Sequence, residues 1–285
     1  MHVDEKQNKL KPGLYCVATP IGNMGDITFR ALEVIKNSDF ILCEDTRVTK
    51  KLLNKFKISK KLISNYKFNE NKNINYILEL LQNNKLISII SDAGTPAISD
   101  PGRILINKCI EENINIYSVP GPSAVSAAIS VSGFSDKYLF CGFLPDKKSA
   151  LNKLFKSYSN LNYSIVFFIS PKKIKKVVDL IKKYFFNRNI LICREITKFH
   201  EEYIRSSIKN LSKISISTKG EVTVVISEDN NIEKKLNKLE ESDKKKIRKL
   251  LKKMTIKNII IEINKDKEIS KKIIYDYCLK LKNEK

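Results

Sequence analysis

The sequence predicts an α/β protein of two domains, with a mainly parallel sheet in the first, a mixed sheet in the second and a small helical module at the carboxyl end. Three observations predict this. Between Gly13 and Val131 short apolar runs alternate five times with helical patterns, as expected for a parallel sheet covered on both faces. Beyond Lys137 apolar runs persist but fewer helical patterns separate them, which suits a mixed sheet. After Asn231 the chain is rich in Lys and Glu, with Ile247, Leu250, Leu251 and Met254 at helical spacing. The expected spans are 1–134, 135–230 and 231–285, and 285 residues give room for roughly two domains of ordinary size.

Taken in order, Gly13 to Ala18 reads as the first strand, running into Thr19-Pro20-Ile21-Gly22-Asn23. A helix follows from Thr28 to Asn37, with Asp26 and Thr28 offering side-chain oxygens to its amino end. Phe40 to Cys43 is the next strand, Glu44-Asp45-Thr46-Arg47 its loop, and a helix runs on to Phe56. Leu62 to Ser64 leads through a polar stretch into a helix from Asn73 to Asn83, Leu86 to Ile90 into a helix from Arg103 to Glu112, and Ile114 to Val119 through Pro120-Gly121-Pro122 into Ser123 to Val131. Ser132 to Lys137 reads as the boundary. Tyr138 to Phe143, Tyr163 to Ile169, Asn189 to Ile196, Glu202 to Ser207 and Glu221 to Ser227 are the strands of the second domain, and three helices ending with Ser270 to Leu281 form the tail.

Composition removes several classes of chemistry. Only His2 and His200 are present, so a zinc site or a histidine-based triad has few parts to use. The six cysteines are scattered without a C-x-x-C pair and mostly lie in apolar patterns, as buried free thiols do. No apolar run approaches the ~20 residues of a membrane span, and Met1 to Lys11 lacks the apolar segment of a signal peptide, so a cytoplasmic soluble protein is expected. A net charge of +22 favours an anionic partner such as RNA, although heavy use of Lys, Asn and Ile throughout also fits a compositional bias.

The chain is organised around Ser91 to Pro101, where two Pro, one Gly and two Asp follow the apolar run Leu86 to Ile90. Ligands of open α/β sheets sit outside the carboxyl ends of strands, so Asp92, Gly94, Thr95 and Pro96 make a candidate ligand wall. An ordinary strand-to-helix turn capped by Asp100 is the alternative. Of nine Gly and eight Pro, only Pro171 and Gly220 lie beyond Pro145, which concentrates shaped backbone in the first domain. Neither G-x-G-x-x-G nor G-x-x-x-x-G-K-[ST] occurs, disfavouring an ordinary dinucleotide fold and a P-loop.

Six motifs then occur in a recognisable order: Thr19-Pro20-Ile21-Gly22-Asn23, Glu44-Asp45-Thr46-Arg47, Ser91-Asp92-Ala93-Gly94-Thr95-Pro96, Pro120-Gly121-Pro122-Ser123-Ala124, Gly142-Phe143-Leu144-Pro145 and Arg194-Glu195-Ile196-Thr197-Lys198. In order and spacing they resemble the RsmI family, bacterial small-subunit ribosomal RNA methyltransferases of the tetrapyrrole methylase superfamily. The resemblance spans residues 13–227, and the tail is similar to the family's small helical module. Two departures stand out. Ile169-Ser170-Pro171-Lys172-Lys173 replaces a run that usually carries Glu and His, and histidines are missing around Tyr66 to Glu70.

The resemblance implies a two-domain tetrapyrrole-methylase-like fold that holds S-adenosyl-L-methionine between its domains and methylates the ribose 2'-hydroxyl of a cytidine in the decoding region of 16S rRNA. It implies 16S rRNA or the small ribosomal subunit as partner, and a homodimer is a reasonable family-level expectation; no membrane and no metal are expected, from the composition above. By position in the motifs, Pro20, Asp92, Thr95, Ser123 and Ala124 line the cofactor pocket, with Phe168 and Ile169 closing it from the second domain; turn chemistry and core packing are the alternatives for these residues. Glu44 and Asp45 are candidate bases, unassigned between them, and Arg47, Arg194, Glu195 and Lys198 are candidate substrate contacts; a helix cap with a local ion pair is the alternative. The Lys172-Lys173, Lys175-Lys176 and Lys182-Lys183 pairs either track RNA backbone or form a solvated helix face, and Tyr184, Phe185 and Phe186 either stack bases or pack the core. A methylase of a tetrapyrrole intermediate and a non-catalytic ribosome-binding protein are the competing readings.

Overall fold

A computed structural model describes residues 10–66, 69–229, 239–264 and 269–283. The first sheet is parallel throughout, with strands β1 (Gly13–Val17), β2 (Phe40–Cys43), β3 (Lys61–Ser64), β4 (Leu86–Ile90) and β5 (Ile116–Val119) in the order β3-β2-β4-β1-β5. All five residues of β4 are buried, as an apolar run at the middle of a two-sided sheet must be. Helices α1 (Phe29–Asn37) and α2 (Thr46–Lys55) pack on one face through Val34, Ile35, Leu52 and Leu53, and α3 (Glu70–Gln82) and α4 (Arg103–Glu111) on the other through Ile77, Leu81, Leu105 and Cys109. Cys43 pairs with Ser64 on one side and Ile90 on the other, so three carboxyl ends finish level. That level edge carries the loops of interest.

The second sheet has the order β6-β7-β10-β8-β9, built from β6 (Tyr138–Phe143), β7 (Ser164–Ile169), β8 (Asn189–Arg194), β9 (Glu202–Ser207) and β10 (Val222–Ile226). Only β6 and β7 run parallel; the other pairs are antiparallel. One face is covered by α6 (Lys148–Tyr158) and α7 (Pro171–Phe185), whose buried stripes include Phe155, Ile174, Leu180 and Phe185. The other face receives α5 (Ala124–Ser130): Val125 and Ala128 pack on Val166, Leu191, Cys193 and Val225. This helix leaves the first sheet at β5 and seats on the second, so the two sheets meet through it. Arg188, only 2% exposed, fastens the far edge by donating to the carbonyls of Ser159, Leu161, Tyr163 and Ser227.

In the tail, α8 (Glu241–Leu250), α9 (Ile256–Ile263) and α10 (Lys271–Asn283) close on a cluster of Ile247, Ile259, Ile263, Ile274 and Cys278. The expected start of the tail at 231 lies outside the described residues. All six cysteines are unpaired, four of them buried. No described helix is long and apolar enough to cross a membrane.

Candidate functional site

A cleft of about 680 Å³ lies between the sheets, within the range of ~300–1,000 Å³ typical of small-molecule sites. Its first wall is the loop after β4. Thr19 and Gly94 exchange backbone hydrogen bonds at 2.9 and 3.0 Å, the Thr19 hydroxyl donates to the Ser91 carbonyl at 3.1 Å, and the Thr95 hydroxyl donates to the Pro122 carbonyl at 3.3 Å. The loop turns through left-handed backbone at Gly94, Ala97, Ser99 and Gly102, conformations that cost a non-glycine residue and persist only when fixed from outside. Glu70 supplies that fixation at the far end.

The second wall comes from β7 and β10, which pair Phe168 with Thr223 and Ile169 with Val222. Phe168 packs edge-on against Phe140 and Phe143 at 5.0 and 5.3 Å between ring centres and turns its remaining surface to the cleft. Ile169 is 4% exposed, sharing the core under α7 while lining the cleft. Ser170 and Lys173, at the start of α7, and Asp146 complete the rim, where Lys173 and Asp146 form an ion pair. The two walls also meet outside the cleft, where the Asn23 amide donates to the Thr197 hydroxyl at 3.0 Å and Gly22 lies so close that a Cβ would stand 2.5 Å from Cγ of Lys198.

Asp92, Thr95, Ser123, Ala124, Phe168 and Ile169 all line this cleft, and Pro20 does not, being buried behind the bridge between Thr19 and Gly94. Glu44, Asp45 and Arg47 stand beside it at the end of β2. Arg194, paired with Glu202 at 2.9 Å, does not line it, nor do Glu195 and Lys198; Lys198 bridges Glu195 at 3.2 Å and the cleft residue Glu221 at 2.9 Å. Sequence reasoning placed neither Ile98, Phe143, Asp146 nor the segment 220–223 in the cleft, read Asp100 as a turn cap and read Lys173 as an RNA-backbone or solvated lysine; all of them line it. Asp100 and Phe143 sit in segments already singled out as motif or turn, whereas residues 220–223 reach the cleft only through strand pairing.

Carboxylates dominate the electrostatics. Asp45 caps α2, accepting the Arg47 amide at 2.8 Å and its guanidinium at 2.7 Å, and these hydrogen bonds push its pKa down to about 2. The Asp45 amide in turn donates to Asp92 at 3.1 Å. Burial, and then the charges of Asp92 and Asp45, raise Glu44. Burial likewise raises Asp92, with the Asp45 charge adding to it. Asp100 is pushed up to about 6, by burial first and by Glu44 next. Among the described residues no hydrogen bond holds the Glu44 carboxylate, and no cluster of His, Cys, Asp and Glu suits a metal ion. The arrangement offers a cation a negative wall and offers a hydroxyl an unengaged carboxylate.

Comparison with known proteins places this geometry. The profile of the Tetrapyrrole (Corrin/Porphyrin) Methylases matches residues 13–212. A protein of Thermotoga maritima named ribosomal RNA small subunit methyltransferase I is 45% identical over 217 residues, covering 75% of this chain and 97% of that protein. A Rickettsia prowazekii protein of the same name is 39% identical over 279 residues, covering 96% and 98%. Among solved structures, a diphthine synthase superimposes with a TM-score of 0.60 at 13% identity, covering 75% of this chain and 89% of that one. Uroporphyrin III C-methyltransferase of Thermus thermophilus gives 0.53 at 11%, covering 77% and 99%. At such identities these two structures speak for the fold alone.

Proposed function

The chain belongs to the tetrapyrrole methylase family, in the group of ribosomal RNA small subunit methyltransferase I, and from that premise we propose that it transfers a methyl group from S-adenosylmethionine to the ribose 2'-hydroxyl of a cytidine in the decoding region of 16S rRNA. The observation that carries this reading is that likeness to proteins of that name runs through both sheets and the helical tail. The net charge of +22 suits a polyanionic substrate.

The cleft residues fit the cofactor. Asp92 and Asp100 suit a ligand that is cationic at its sulfonium and amino groups, Thr95 and the main chain at Ser123 and Ala124 offer polar contacts, and Phe168, Ile98 and Val125 offer apolar surface. When bound, S-adenosylmethionine supplies an activated methyl group, so the protein's task is chiefly alignment and proton removal. Glu44 is the better base of the two carboxylates that follow β2. Asp45 is held by its cap and by Arg47, whereas Glu44 is unengaged and burial raises its pKa above the ordinary carboxylate value, the direction that strengthens a base. In this reading Glu44 would take the proton of the ribose 2'-hydroxyl as the bond from that oxygen to the methyl carbon forms and the bond from that carbon to the sulfonium sulfur breaks, leaving a neutral thioether. Arg47, with its side chain 86% exposed, meets a neighbouring phosphate.

The test is transfer of labelled methyl groups from S-adenosylmethionine to small ribosomal subunits that lack the modification, beside free 16S rRNA and uroporphyrinogen III. Label in ribosomal RNA supports the reading. Label in the tetrapyrrole alone overturns it.

A further inference from the structure

The lysines of the second domain are sorted, not scattered. Residues 13–134 carry 14 basic and 11 acidic side chains, whereas residues 145–185, which hold α6, β7 and α7, carry ten lysines, two aspartates and no other charge. The fold then places those lysines together. α6 and α7 cover the same face of the second sheet, turning Phe155, Ile174, Leu180 and Phe185 inward. Lys153 and Lys156 of α6 and Lys172, Lys175, Lys176 and Lys183 of α7 are left exposed.

We propose that the outer face of α6 and α7 is the surface along which the RNA backbone is held, leading its substrate segment into the cleft at Lys173. This rests on the methyltransferase reading and adds to it the place of the RNA contact. Three features argue for RNA on this face. The helix α7, 15 residues and therefore about 22 Å long, begins at the cleft, because Ser170 and Lys173 line it, so the basic stripe runs outward from the site. At its far end Phe186 is 48% exposed with the Lys209 ammonium 5.5 Å from its ring centre, an aromatic face beside a cation as single-stranded RNA uses for stacking. Finally, Asp92 and Asp100 line the cleft and Glu44 stands beside it, and these carboxylates repel phosphates, so backbone contacts other than the one at Arg47 are made outside the cleft. The tail is basic too, but none of its described residues lines the cleft.

The experiment compares two triple variants of the full chain with equal charge change. One is Lys175→Glu with Lys176→Glu and Lys183→Glu. The other, Lys57→Glu with Lys61→Glu and Lys85→Glu, lies before and at the amino ends of β3 and β4, away from the cleft. Affinity for 16S rRNA is measured across a salt series, with S-adenosylmethionine affinity and thermal unfolding as checks on the fold. The α7 variant is expected to lose about 100-fold in RNA affinity and to flatten the slope of log affinity against log salt by about 2, at ~0.7 per lost contact. Its cofactor affinity and unfolding temperature are expected to match the unmodified chain. RNA affinity and slope unchanged in the α7 variant overturn the proposal, as does an equal loss in the control variant, which reports net charge alone. Unchanged RNA affinity with lost binding to phosphatidylcholine–phosphatidylserine vesicles overturns it in favour of a lipid surface. If the unmodified chain transfers no methyl group to RNA, the methyltransferase reading fails first, and that outcome is read separately.

Discussion

The Glu70 carboxylate holds the amide of Gly102 at 3.1 Å, and the same oxygen accepts from Ile104 at 3.0 Å and Leu105 at 3.3 Å. Glu70 is 6% exposed and opens α3, whereas Gly102 ends the loop that forms the first wall of the cleft. A side chain from one element therefore caps the helix of another and fixes the loop between Asp92 and Asp100. Glu70→Ala should destabilise the protein by about 2–3 kcal/mol, since two buried donors and one half-buried one lose a carboxylate acceptor. Glu70→Gln, which keeps an acceptor oxygen, should lose less. Urea unfolding separates the two, and equal stabilities for Glu70→Ala and the unmodified chain would remove the clamp.

Asp100 should couple cofactor affinity to pH. Burial and the Glu44 charge raise its pKa to about 6, so it loses its negative charge as pH falls through that value and a cationic ligand should bind less tightly below it. Calorimetric titration with S-adenosylmethionine from pH 5 to 8 reads this directly, and Asp100→Asn should flatten the profile and lower neutral-pH affinity by about tenfold, roughly 1.4 kcal/mol.

The same shift has the opposite sign for stability. Because the folded carboxyl holds its proton to a higher pH than the unfolded one, its contribution falls as pH rises from about 4 to about 6. Asp100→Asn should therefore unfold at a higher temperature than the unmodified chain at pH 7, with the difference shrinking toward pH 4. A lower unfolding temperature at pH 7 would contradict the burial of that charge.

Glu44 and Asp45 are adjacent in sequence and should fail differently. Glu44→Gln should leave cofactor affinity intact and slow methyl transfer by about 10²–10⁴-fold, the usual contribution of a general base. Asp45→Ala should lower the urea midpoint, because α2 loses its cap and Arg47 its partner. Single-turnover transfer and unfolding on both variants check the division.

Gly22→Ala should loosen the contact between the walls. An added Cβ would stand 2.5 Å from Lys198 Cγ, 2.7 Å from Thr197 Oγ1 and 3.0 Å from the Ile196 carbonyl, where backbone leaves little room to yield. Overpacking of this kind costs about 1–3 kcal/mol. Weaker cofactor binding together with a lowered unfolding temperature is expected.

What the sequence disclosed, and what it withheld, follows from the range of the interactions. The loop after β4 was legible because Gly94, Pro96 and Pro101 are local signals acting within a few residues. Helix α3 was expected from Asn73 but begins at Glu70, since Asn69 to Asn73 carries no apolar residue to mark a turn whose role is to cap α4. Phe168 and Ile169 were found by their motif position, but residues 220–223 enter the cleft only because β10 pairs with β7, a contact that no local pattern encodes. Asp100 read as a turn cap; its coupling to Glu44 requires the carboxyl ends of β2 and β4 to be level, which register alone determines.

The most direct measurement is mass-spectrometric mapping of the nucleotide labelled when the protein and S-adenosylmethionine act on small subunits lacking the modification. A 2'-O-methylcytidine in the decoding region, lost with Glu44→Gln, is the expected result. A methyl group on a base, or a ribose methyl outside that region, would contradict it.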